Sequence, residues 1–231
     1  MNNGSRISTC FILLFTAACL LGAVTAAGQT IPSQEVVSLE PVAPSEPLYQ
    51  KGQREFSLES SYLFKVIRNP WYLLIGQYYK NPLDYRLATQ ILSFRYRLTD
   101  PSGPSFLRGS LEMSAGLIFS AILEGPEDLF VGLALGLRYY FVQPGAKLIP
   151  YLEIRAGPGW TDAGRIPYAQ QTDFTFTYML GAGLRYDVSP RFSLALGLLD
   201  QHLSNAYISE PNYGFDALGI NLGFYVHFDS I

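Results

Sequence analysis

Residues 192–228 read FSLALGLLDQHLSNAYISEPNYGFDALGINLGFYVHF. Phe192, Leu194, Leu196 and Leu198 alternate with smaller residues, and so do Leu218, Ile220, Leu222 and Phe224. A period of two is the signature of a β-strand with one apolar face. Between the two runs lie His202, Ser204 and Asp216, the three side-chain types of a serine-hydrolase triad. His202 and Ser204 share the parity of the first apolar run, and Asp216 shares that of the second. All three polar residues therefore belong to the apolar side of a hairpin, a placement that a water-facing or core-facing sheet does not explain.

Outward from this hairpin the same period continues. Six further strands are expected, at 56–66, 87–98, 107–121, 129–141, 150–160 and 174–188. In each, an apolar stripe such as Leu92, Phe94, Tyr96 and Leu98 opposes a stripe such as Ser93, Arg95 and Arg97. Compact turns at 99–104, 143–146 and 187–190 carry Pro, Gly, Asp and Ser. They alternate with mostly longer connections near 67–86, 122–128, 159–173 and 206–215. Eight antiparallel strands with short turns at one end and longer loops at the other predict an all-β fold, an eight-stranded transmembrane β-barrel.

Only 15% of the residues are charged, against about 25% in an ordinary soluble domain. Parity alone does not choose between a membrane barrel and a soluble lipid-binding barrel of opposite orientation. Three features favour the membrane. Tyr96, Tyr139, Trp160 and Tyr186 lie at ends of the apolar stripes, as interfacial girdles do. The other stripe is rich in Gly and Ser, which suit a narrow lumen. Its charges have both signs, Glu59, Glu112 and Glu153 against Arg95, Arg97, Arg108, Arg138, Arg155 and Arg185, and so can neutralise one another. The net charge of −3 and the absence of a basic cluster exclude nucleic acid as an expected partner.

The first 27 residues read as a signal peptide: Arg6, an apolar run from Cys10 to Val24, then the small residues Thr25, Ala26 and Ala27. Residues 28–53, with Pro32, Pro41, Pro44 and Pro47, read as a disordered linker, and 54–231 as the barrel. Both cysteines, Cys10 and Cys19, fall inside the signal, and only His202 and His227 supply imidazoles. No disulfide, metal site or other cofactor is expected.

With both termini on the periplasmic side, the seventh strand runs outward. Ten residues from Phe192 to His202 span about 33 Å of strand, or roughly 25 Å along the membrane normal at a tilt near 40°. His202 and Ser204 then face lipid near the outer-leaflet head groups. His202 is placed to take the Ser204 proton and Asp216 to orient the imidazole. The amides of Asn205 and Asn212, or backbone N–H groups near Gly214, are candidate oxyanion donors. Glu210 reads as solvated, Trp71 and Tyr72 as interfacial anchors, and His227 as a lumen filler.

The pattern His202-x-Ser204-Asn205-Ala206 followed by Pro211-Asn212-x-Gly214-x-Asp216 resembles the signature of the lipid A 3-O-deacylases, the PagL family. The motif covers about fifteen residues, 202–216; elsewhere the likeness is architectural. The resemblance implies an outer-membrane esterase that removes the 3-O-linked acyl chain of lipid A (lipopolysaccharide) without a metal. It makes Ser204 the nucleophile, His202 the base and Asp216 the acid, with Asn212 an oxyanion donor and Asn205 its motif neighbour. The family's acid is Glu, so Asp216 is a departure. A second departure is the tail Asp229-Ser230-Ile231 after the aromatic Phe228. The competing reading is a non-catalytic small barrel with a structural or adhesive role. Chain-length preference and phospholipid activity are not legible, nor is the choice between monomer and homodimer.

Overall fold

A computed structural model describes residues 46–65, 84–165, 172–210, 212 and 214–228. The expected signal peptide, most of the linker, and Trp71 and Tyr72 lie outside the described residues. Eight strands follow in order: β1 (Arg54–Lys65), β2 (Arg86–Arg97), β3 (Ser110–Glu124), β4 (Leu129–Tyr140), β5 (Leu148–Thr161), β6 (Phe174–Ser189), β7 (Phe192–Ser204) and β8 (Phe215–Phe228). Each pairs antiparallel with its sequence neighbour, and β8 returns to β1 with Leu58 opposite Phe224, closing the barrel. Closure removes the unpaired edges that an open sheet would expose. The third strand begins at Ser110 rather than Leu107, because Ser105–Leu107 closes a 3-10 turn after Pro104.

The period of two becomes a wall with two chemistries. Outward side chains are apolar and exposed along the strands: Leu133, Leu135, Leu196 and Leu222 are all more than half exposed. Inward side chains include fully buried Arg95, Arg97, Arg138 and Arg185. An apolar exterior around a charged interior is the orientation of a membrane barrel, not of a soluble ligand carrier.

The interior has two tiers. In the tier nearer the termini, Glu59 accepts hydrogen bonds from Arg95, from Arg138 at 3.1 Å and from Arg155 at 2.6 Å. The Tyr225 hydroxyl donates to the same carboxylate at 3.1 Å. Glu153 bridges Arg95, Arg138 and Arg155, while Glu112 holds Arg95 and Arg97. Arg185 pairs with Glu55 and Asp187, and His227 joins them through Glu55 and Ser193. The expected linker ends in a short turn, Glu46–Tyr49. Tyr49 is buried there against Tyr140, and its hydroxyl donates to Asp187. The other tier is mainly apolar, with one small polar set, Thr89, Ser120 and Gln201, hydrogen-bonded to one another within it. Leu63, Leu87, Ile91, Ile118, Phe130, Met179, Leu199, Leu203 and Phe215 fill it as a hydrophobic core.

Buried ion pairs contribute little net stability, because desolvation offsets attraction, but removing one partner strands its neighbours. Glu59→Ala leaves three guanidinium groups short of an acceptor. It is expected to destabilise the barrel by about 3–5 kcal/mol, read as a lower urea midpoint in detergent micelles; an unchanged midpoint would contradict this account of the lumen.

Candidate active site

The β7–β8 register determines what meets at the far end of the barrel from the termini. His202 lies directly opposite Asp216, and on its other side opposite Tyr178 of β6. The Cβ atoms of such cross-strand pairs are about 4.5–5.5 Å apart. That spacing lets a short carboxylate reach the ring: His202 Nδ1 and Asp216 Oδ1 are 2.8 Å apart. On the other flank the Tyr178 ring stacks on the imidazole, with centroids 4.5 Å apart and planes at 19°. The ring is thus held in plane by a stack and in rotation by a carboxylate.

Ser204 follows on the same face, at the last residue of β7. Two threonines of β6 fix the backbone of both residues. Thr177 Oγ1 donates to the His202 carbonyl at 2.9 Å, and Thr175 Oγ1 to the Ser204 carbonyl at 2.8 Å. Among the described residues no hydrogen bond joins the Ser204 hydroxyl to the imidazole. Nucleophile–base contacts are commonly long before substrate binds. Ser204 is half-buried.

The chain then turns sharply. Ala206 and Tyr207 adopt left-handed backbone with φ of 51° and 61°, which costs non-glycine residues on the order of 1 kcal/mol each. Asn205 maintains this conformation: its Oδ1 accepts the Tyr207 N–H at 2.9 Å, and its Nδ2 donates to the Ser209 carbonyl at 2.9 Å. The Asn205 N–H donates to Asn212 Oδ1 at 3.1 Å, so the Asn212 NH2 group is the end not tied by that bond. In this state the Asn205 amide organises the loop. Glu210 is exposed. Gly214 lies against the site: a Cβ there would come within 3.0 Å of Ser204 Cβ and 3.3 Å of His202 Cε1. A glycine at this position lets the returning chain pass beside the two residues.

The model of the lipid A 3-O-deacylase (PagL) family matches residues 61–225. The chain belongs to this family. No match is found among curated proteins. Among solved structures, the crystal structure of the outer membrane enzyme PagL is similar at 17% identity and a TM-score of 0.50, covering 73% of this chain and 97% of that one. The crystal structure of Neisserial surface protein A is similar at 16% identity and a TM-score of 0.47, covering 77% of this chain and 98% of that one. The barrel fold is thus shared with the outer membrane enzyme PagL.

One residue beside His202 and Asp216 escaped the sequence reading. Asp200 continues the outward parity of His202, yet it is only 7% exposed where Leu198, one step earlier on that face, is 54% exposed. Among the described residues its Oδ1 has no hydrogen-bond partner, and it lies within electrostatic reach of Asp216 and His202. The signal was the parity itself, which runs unbroken from Leu198 through Asp200 to His202. A buried carboxylate oxygen without a donor costs about 1–3 kcal/mol. Asp200→Leu is therefore expected to raise the urea midpoint in micelles by a comparable amount. A lowered midpoint would show that the carboxylate has a stabilising partner.

Proposed function

We propose that this protein is an outer-membrane esterase that hydrolyses the ester-linked acyl chain at the 3-position of lipid A, using Ser204, His202 and Asp216 on the lipid-facing wall at the outer leaflet. The observation that carries the proposal is the His202–Asp216 hydrogen bond on an outward face that is mostly apolar. Polar side chains at membrane depth are costly and mark function by default. A paired imidazole and carboxylate beside a serine is a costly arrangement with an immediate chemical use.

The chemistry follows from the atoms. Asp216 holds Nδ1, so the proton on the ring sits there and Nε2 is the basic nitrogen. Ser204 Oγ attacks the ester carbonyl while Nε2 takes its proton, and the carbonyl π bond becomes the oxyanion. The oxyanion collapses, the bond to the sugar oxygen breaks, and His202 returns the proton to that oxygen. Water, deprotonated by Nε2, then releases the fatty acid from Ser204. The developing oxyanion takes hydrogen bonds from the Asn212 NH2 group and from the backbone near Gly214. No metal or other cofactor enters these steps.

Placement matches the substrate. The site lies on the wall, so lipid reaches it by lateral diffusion without leaving the bilayer. The ester of a lipid A sugar lies at the head-group boundary, with its acyl chain beside the outward leucines. The departure from Glu to Asp is compensated locally, because Asp216 stands directly across from His202 and needs no longer reach.

The test is mass spectrometry of lipid A from a Gram-negative host expressing the full chain. The expected result is loss of one 3-hydroxyacyl chain, abolished by Ser204→Ala and by His202→Ala. Asp216→Glu is expected to retain more activity than Asp216→Ala, which should fall by about 10³–10⁴-fold, as triad members do. Unchanged lipid A with a demonstrably folded wild-type barrel sinks the proposal and leaves a non-catalytic barrel.

A further inference from the structure

The weak point of the His202–Asp216 pair is its place in the strand. Asp216 is the second residue of β8, directly after the loop, where strand ends open most readily. A short carboxylate bonded at 2.8 Å leaves little slack for movement of its backbone. The neighbouring residue, Phe215, points the other way, into the barrel, and is 4% exposed. Its ring lies face to face on that of Tyr85, with centroids 3.7 Å apart and planes at 13°. The Tyr85 hydroxyl donates to Glu127 Oε2 at 2.9 Å, and both residues are buried. Burial pushes the Glu127 carboxyl above its ordinary range, and the Tyr85 hydroxyl pulls it back. The Tyr85 carbonyl accepts the Lys65 N–H at 2.9 Å, which ties the residue to the end of β1. Space for the ring is made by Gly125, which has φ of 148° and where a Cβ would approach the Tyr85 ring to 2.8 Å.

We propose that Tyr85 is a positioning residue for Asp216: stacked on Phe215 and anchored by Glu127, it pins the start of β8 so that the Asp216 carboxylate stays on His202. The physical reason is alternation. Successive side chains on a strand point to opposite faces, and a slip of one residue exchanges the faces. Holding Phe215 inside the barrel therefore holds Asp216 outside it. Phe215 also pairs with Leu203, the residue between His202 and Ser204, so the contact lies directly behind the site. The inference rests on the triad reading for its consequence in catalysis, while the geometry it describes is independent of turnover.

The experiment uses the full-length barrel in detergent micelles, with folding checked by heat-modifiable gel mobility. Two readouts are followed in the wild type, Tyr85→Phe, Tyr85→Leu, Asp216→Ala and the Tyr85→Leu/Asp216→Ala double variant. One is the downfield proton resonance of the His202 Nδ1–H, identified by its loss in Asp216→Ala. The other is the rate of lipid A deacylation. Tyr85→Leu is expected to broaden or erase the resonance and to lower kcat about tenfold or more with KM unchanged. It should have no further effect in the Asp216→Ala background. Tyr85→Phe keeps the stack and loses the Glu127 bond, so it should lie between wild type and Tyr85→Leu. It is the deciding variant if Tyr85→Leu does not fold. An unchanged resonance in the folded variants overturns the proposal. So does a fall of the same factor with and without Asp216, which marks a general structural effect. If the wild type hydrolyses nothing, the deacylase reading fails, and the resonance alone still decides whether Tyr85 holds Asp216 in place.

Discussion

The buried cluster of Arg95, Arg138 and Arg155 around Glu59 and Glu153 is the constraint on which the rest of the barrel depends. These charges are tolerable only inside, where each guanidinium meets carboxylates and tyrosine hydroxyls. Turned outward, they would face hydrocarbon at a cost of several kcal/mol each. Because a strand's faces alternate, committing the arginines of β2, β4 and β5 to the lumen commits the residues between them to the wall. β7 carries no arginine, but its register with β6 and β8 gives its even-numbered side chains, His202 and Ser204 among them, the outward facing. The site is therefore not an addition to the surface of a finished fold. Its orientation follows from the charge balance in the lumen.

The same alternation brings a short carboxylate within reach of the imidazole. The β7–β8 hairpin returns with His202 and Asp216 in direct opposition, so the carboxylate has only the width of one cross-strand pair to bridge. Around this pair the wall ceases to be exposed. Tyr178 covers one face of the imidazole, and Asp200, on the step below, is buried as well. Within the barrel the hydrophobic tier lies behind this patch, with Leu203 and Phe215 packed inward. A firm core beneath a polar outer patch gives the side chains a fixed platform, which sites on loops lack.

Much of this was legible in the sequence because barrel strands carry a strong period. All eight strands, their antiparallel order and the parity of the three polar residues follow from alternation in runs such as Leu133, Leu135 and Leu137. Composition was less informative about the lumen. Ser, Gly and Arg on the inner stripe suggested a polar interior, but Leu63, Leu87, Ile91 and Ile118 make the far tier mainly apolar, around the small Thr89–Ser120–Gln201 set. Single apolar residues among polar ones on a stripe reveal their cluster only when the strands are wrapped and placed in register. Register is likewise what placed Asp216 opposite His202, since loop length alone permits offsets of two residues. The role of Asn205 was also hidden: nothing in the residue type distinguishes a donor to substrate from one that organises its own loop. Asp200 was readable from parity, but only its burial, at 7% against 54% for Leu198, sets it apart from an ordinary rim carboxylate.

The central claim is that Ser204 is a nucleophile made reactive by His202 on the outer wall of the folded barrel. The most direct measurement is intact-mass and peptide-mass analysis after exposing the barrel in micelles to a lipophilic fluorophosphonate, a reagent that phosphonylates activated serines. The account predicts a single adduct on the peptide that carries Ser204, absent from Ser204→Ala and strongly slowed in His202→Ala. No adduct on a folded barrel, or labelling of Ser204 at the same rate without His202, would contradict it.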